Sequence, residues 1–193
     1  MFEPRSPSRA QLHLLQALQG ASRSSTREFK NGPVYQHLMH ELGRKGFLDV
    51  ESLLRSLSPD YVVFKPPFAA DMAVLPTVAG WYAADPQAPE IHEGLIPAVR
   101  RCFDLFLQYK PRSPTEAEPL RLAPEDLWPE SAAPQEADLF IVGLLLKVEK
   151  IGRISWTEDP ASPWRVEIDA GIMRFATVGD YQSLLAALRG DPA

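Results

Sequence analysis

Apolar residues recur along this chain in several stretches at helical spacing and in a few shorter ones that alternate. Between Arg9 and Leu18 the positions Leu12, Leu15 and Leu18 follow a helical repeat, with Leu14 widening the stripe and Gly20 placed to end it. Residues 21–31 are rich in Ser and Arg and read as a loop, because short hydroxyl side chains compete for backbone hydrogen bonds. Asn31-Gly32-Pro33 then marks a helix start, with Pro33 in the first turn, where a missing N–H costs nothing. Val34, Leu38 and Leu42 form one apolar stripe, and Gly46 is a natural left-handed stop. Asp49 is expected to cap a second helix that faces Val50, Leu53, Leu54 and Leu57 inward and ends at Pro59. Two short helices joined by a glycine-containing turn predict a helical hairpin of helix-turn-helix geometry.

Tyr61–Lys65 is β-branched and aromatic and predicts a strand closed by Pro66-Pro67. Around Pro76 the pattern allows a short helix on either side. From Leu95 to Tyr109 the residues Leu95, Val99, Cys102, Phe106 and Tyr109 recur at four-three-four-three spacing, flanked by Ile96, Phe103 and Leu107. An arc that wide predicts a central, largely buried helix. Leu139–Lys150 predicts a further buried helix, although parts of it tolerate a strand. Ile154–Glu158 and Trp164–Ile168 alternate around Asp-Pro-Ala-Ser-Pro and predict a hairpin with Trp156 and Trp164 near its tip. A capping box over Thr177–Asp180 opens a last amphipathic helix of Val178, Tyr181, Leu184, Leu185 and Leu188, stopped by Gly190.

Together these elements define an α+β protein, predominantly helical. Residues 1–110 form a mainly helical lobe with the helical hairpin and the central helix. Residues 136–193 form a helix–β-hairpin–helix lobe of winged-helix-like order. Between them, residues 111–135 carry prolines at 114, 119, 124, 129 and 134 among acidic and small residues. That stretch reads as a connector wrapped over the surface and anchored by Leu120, Leu122, Leu127 and Trp128.

Composition narrows the compartment and the partners. The chain has 193 residues, 45% hydrophobic and 23% charged, ordinary values for a globular protein. A single cysteine excludes an intramolecular disulfide and fits a reducing compartment. The N-terminus has no secretory pattern, and the apolar run Leu139–Leu146 is far short of the roughly twenty residues of a membrane span. A cytoplasmic protein without a membrane partner is therefore expected. The net charge of −5 argues against broad binding to phosphate backbones. It is unevenly spread: residues 1–58 hold eight bases against five acids (+3), and residues 110–140 hold three bases against seven acids (−4). That asymmetry suits steering towards a partner or head-to-tail self-association.

Candidate chemistry is sparse. His37, His40 and Glu41 share one helical face at metal-ligand spacing, but their order differs from the zinc-protease HExxH and a third distant ligand would be needed. Cys102 sits mid-stripe in the most apolar helix, where burial makes a thiol inert. The 21–31 segment offers Arg23, Arg27 and Lys30 to an anion without the glycines that let a backbone wrap phosphate. No phosphate-binding, dinucleotide-binding or nucleophile-elbow motif occurs. The outward residues of the second hairpin helix, Glu51, Ser52, Arg55 and Ser56, carry no net charge, unlike a recognition helix.

The reading that follows is a non-catalytic adaptor or assembly subunit, with no cofactor and no metal. Its partner is another protein or a second copy, engaged through Trp156, Trp164 and Trp128, since tryptophan is enriched at binding hot spots. One alternative is a winged-helix-like nucleic-acid-binding regulator contacting phosphate through Arg44, Lys45 and Arg55. A second is a hydrolase or transferase using His37 and His40 or Cys102.

Overall fold

The computed structural model describes residues 6–27, 33, 35–65, 72–108, 120–122, 136–156, 164–168 and 170–190. The chain divides into two compact units, residues 1–88 and 89–193. The fold is mostly helical with small antiparallel sheets, an α+β architecture.

In the first unit, α1 (Arg9–Arg27) runs on through Gly20, which corrects both the expected stop and the expected loop after it. A mid-helix glycine costs only about 1 kcal/mol relative to alanine, and tertiary anchors beyond it hold the helix. The Gln19 amide donates to the Trp81 carbonyl at 3.2 Å, Ser22 is buried, and the Arg23 guanidinium lies 5.6 Å from the Trp81 ring centre and 4.0 Å from Asp85. Arg23 is thus a helical residue packed on its own unit, not part of an anion-binding loop. Arg27 also falls on α1, and Lys30 lies outside the described residues.

α2 (Tyr35–Arg44) buries Leu38 and Leu42, and Gly46 stops it as expected, at φ 82°. The Phe47 N–H returns to the Leu42 carbonyl at 3.1 Å, the closing bond of a Schellman turn. α3 (Val50–Leu57) buries Val50, Leu54 and Leu57. Asp49 precedes it but does not cap it: the residue is itself left-handed (φ 52°) and its side chain makes no capping bond. Asp tolerates that conformation better than most residues.

β1 (Val62–Lys65) is the expected strand, and it pairs antiparallel with β2 (Ala73–Pro76), Val62 opposite Pro76 and Lys65 opposite Ala73. The segment before Pro76 is therefore a strand, while the helix expected after it is present as α4 (Val78–Ala84). Pro76 sits at a register position facing away from β1, so its missing N–H breaks no bond of that ladder. The Thr77 N–H beyond it reaches the Tyr61 carbonyl at 3.0 Å, and the Val74 N–H turns the other way to the Pro33 carbonyl. Leu14, Leu15, Leu18, Leu38, Leu42, Leu54, Leu57, Val62 and Val74 close one core, each full burial contributing roughly 1.5–3 kcal/mol.

The second unit opens with a π-helical turn over Glu90–Leu95 that runs straight into α5 (Ile96–Gln108). Pro97 accounts for the wider turn: it offers no N–H and would press on the carbonyl four residues back in a regular helix. The Ile96 N–H bonds to Ile91, five residues earlier. Leu95, Ile96, Val99, Cys102 and Leu105 are buried, whereas Phe103 and Phe106 are half-buried and Leu107 is exposed, so α5 hides one face and not the whole predicted arc. β3 (Leu120–Leu122) lies within the proline-rich stretch, the rest of which falls outside the described residues.

α6 (Glu136–Val148) is a helix, not a strand, and buries Ile141, Val142, Leu145 and Leu146. At Gly94 a β-carbon would stand 2.8 Å from Val142, so glycine sets how closely the π turn meets α6. Lys150, left-handed at φ 57°, ends the helix as the Ile151 N–H bonds back to Leu146 at 2.9 Å. β4 (Gly152–Trp156) and β5 (Trp164–Ile168) form the expected hairpin, and β3 joins it on the far side of β5, giving a sheet of order β3-β5-β4. A 3-10 segment, Ala170–Phe175, buries Ile172 and Phe175.

α7 (Tyr181–Arg189) begins one turn later than Thr177. Its cap is Asp180, whose carboxylate accepts from the Ser183 N–H at 2.8 Å while the Ser183 hydroxyl accepts from Asp180. Bonds from the Ser183 backbone hold the Asp180 carboxyl below its usual range. The Arg100 guanidinium donates to the Val178 carbonyl at 2.6 Å and the Gly179 carbonyl at 3.1 Å, pinning α5 to the approach to α7. Gly190, at φ 76°, ends the chain's last helix as expected.

Candidate functional site

The turn between α2 and α3 carries the most unusual surface of the first unit. Leu48 is 85% exposed, against 46% for Met173 and 38% for Leu107, the other large apolar residues exposed among the described ones. Phe47 beside it is half-buried against the core of the unit. Gly46 lets the chain reverse, and the left-handed Asp49 starts α3 at once, so Leu48 is held on a tight, well-bonded turn. Arg44 and Lys45 are exposed immediately before it, and among the described residues neither forms an ion pair. The result is an apolar side chain with two available cations on its N-terminal side.

Arg55 differs from these two. Its Nε and Nη2 both donate to Glu51 Oε1, at 2.9 and 2.7 Å, one helical turn away. Hydrogen bonding and charge from Arg55 lower the Glu51 carboxyl, and the same contact raises the Arg55 guanidinium. Partial burial, with Glu51 beside it, raises the Tyr35 hydroxyl. Gln11 reaches Ser56 at 2.9 Å from α1. The outward face of α3 is thus a surface of internally paired groups.

His37 and His40 are exposed on α2, and His37 Nε2 lies 3.6 Å from Glu41. Among the described residues no group of three or more His, Cys, Asp or Glu side chains is placed to hold a metal ion. Cys102 is 1% exposed, and burial pushes its thiol up to about 12, so at neutral pH it supplies almost no thiolate. No helix among the described residues is long and apolar enough to cross a membrane.

Trp156 and Trp164 occupy directly opposed positions at the end of the β4–β5 ladder. Their side chains, and Trp128 entirely, lie outside the described residues. Sequence reasoning passed over Leu48, although a signal was present. Leu48 belongs to neither flanking helical stripe, Leu38/Leu42 or Val50/Leu54/Leu57, and lies in a turn two residues after a glycine and directly before an aspartate. No protein-family model matches the chain, and neither does any curated protein or solved structure.

Proposed function

We propose that this chain is a cytoplasmic, non-catalytic adaptor or assembly subunit that works through protein–protein contacts. The observation that carries the reading is the α2–α3 turn, where Leu48 is exposed on a tight, hydrogen-bonded turn beside two cations that form no ion pair among the described residues. A rigid apolar anchor with flanking charge costs little to order on binding, and it supplies both burial and steering. Trp156 and Trp164, opposed at the end of their ladder, are proposed as a second contact. A winged-helix-like second unit is part of the proposal. A helix, a strand, a helix and a hairpin follow in order from α5, and the early strand pairs with the second strand of the hairpin. Buried on so many sides, α6 suits a scaffold role in such a unit better than insertion into a groove of nucleic acid.

Arg44 and Lys45 also favour one second reading, contact with a phosphate backbone. Titration of labelled duplex DNA and of RNA at increasing salt separates the two. The adaptor reading expects no saturable binding at physiological salt, and tight binding that falls steeply with salt would replace it with the nucleic-acid reading.

A further inference from the structure

We propose that the α2–α3 turn is a docking site for the acidic segment Glu125–Glu130 of a second copy of this chain. The inference rests on the protein–protein reading above and names the partner. On one side stand Arg44 and Lys45, exposed and without ion-pair partners among the described residues, then half-buried Phe47 and Leu48 at 85% exposure. Asp49 follows as an exposed carboxylate, so the turn keeps a net positive charge of one. Glu41, the other acid near the end of α2, is faced by His37.

The complement is in the same sequence. Residues 125–130 lie outside the described residues and read Glu-Asp-Leu-Trp-Pro-Glu, three carboxylates around Leu127 and Trp128. Pro124 and Pro129 restrict the backbone on either side of the anchor pair, which lowers the entropy lost on docking. Leucine and tryptophan suit an apolar anchor, while the flanking carboxylates are opposite in sign to Arg44 and Lys45. The imbalance of whole stretches runs the same way, +3 over residues 1–58 and −4 over residues 110–140. Reciprocal exchange between two copies closes a two-fold dimer in which each turn holds the partner's segment.

The test uses a fluorescein-labelled peptide of residues 123–135, titrated into the full chain and followed by anisotropy, alongside sedimentation equilibrium of the full chain alone. The expected result is saturable peptide binding that weakens at least tenfold in Lys45→Glu and in Leu48→Asp. Binding should also weaken several-fold between about 50 mM and about 500 mM salt, as the Debye length shrinks. The full chain should dimerise with concentration, and Leu48→Asp should abolish the dimer. Because Leu48 and Lys45 are exposed, both variants should keep the wild-type melting temperature, which is measured in parallel. A chain that stays monomeric, or a peptide bound equally well by wild type and both variants, overturns the proposal. Failure here is distinguishable from failure of the adaptor reading: a monomer that still binds a different protein through Leu48 sinks the self-association and leaves the adaptor standing.

Discussion

Two glycine-to-alanine substitutions, both within helices of the first unit, should move stability in opposite directions. Gly20 lies in the middle of α1 with nothing within 4 Å of where a β-carbon would stand. Alanine there gains intrinsic helix propensity of about 1 kcal/mol and meets no obstacle. Gly80 lies in the first turn of α4, and a β-carbon there would collide with the Tyr61 carbonyl oxygen, with the Tyr61 carbonyl carbon at 3.0 Å. The obstacle is backbone, so no rotamer change relieves it. That carbonyl also accepts the Thr77 N–H at 3.0 Å, the bond that ties the start of α4 to the end of the β1–β2 ladder. Overpacking costs roughly 1–3 kcal/mol and loss of the bond roughly 0.5–1.5, against a propensity gain of about 1 kcal/mol. A net loss of about 2 kcal/mol follows. For a chain of this length each 1 kcal/mol moves the melting temperature by about 2–4 °C, so Gly20→Ala should raise it by about that much and Gly80→Ala lower it by about twice as much. Thermal and urea unfolding followed by circular dichroism measure both. A Gly80→Ala protein as stable as wild type would refute the packing of α4 against Tyr61, and a destabilised Gly20→Ala would refute the unbroken α1.

Cys102 should react with thiol reagents only when the second unit opens, so its native labelling rate should rise with urea in step with unfolding. Its sign with pH is fixed by burial. The folded state favours the protonated thiol, with its pKa pushed up to about 12, so the stabilisation is complete below the unfolded thiol's range and is lost as pH climbs towards that value. Rapid stoichiometric labelling of the native protein would contradict the burial. Thr77 caps α4 by accepting the Gly80 N–H at 3.0 Å and donates to the Asp60 carbonyl at 2.7 Å. Thr77→Ala should therefore cost about 1–2 kcal/mol in urea unfolding, while Thr77→Ser recovers most of it; equal losses for both would remove the hydroxyl from the account.

What was legible in the sequence follows from what is local. Leu38 and Leu42 of α2 and Val50, Leu54 and Leu57 of α3, the left-handed stop at Gly46, the strand at Val62–Lys65 and the hairpin ending at Trp156 and Trp164 all rest on short-range pattern, and the structure has them, while Val34 of the expected first stripe lies outside the described residues. Elements decided by distant partners were not legible. α1 outlasts Gly20 because Gln19 and Arg23 meet Trp81, some sixty residues away. Ala73–Pro76 is a strand because Val62–Lys65 lies beside it, whatever its own preference. The cap of α7 fell on Asp180 and not Thr177 because Arg100 holds the carbonyls of Val178 and Gly179 outside the helix. Pro97, by contrast, was in plain view, and its effect on the preceding turn follows from its missing N–H alone. The candidate site was half legible: Arg44 and Lys45 were singled out for phosphate, but only burial shows that Leu48 beside them is left uncovered.

The central claim, that this chain acts through a protein contact at the α2–α3 turn, is tested most directly by affinity capture from the native source with wild type and Leu48→Asp side by side. Extracts are treated with nuclease, and retained proteins, including further copies of this chain, are quantified by mass spectrometry. With melting temperatures matched, the account predicts at least one protein retained at near-stoichiometric level by wild type and depleted at least tenfold by the variant. Identical sets retained by the two proteins would contradict it.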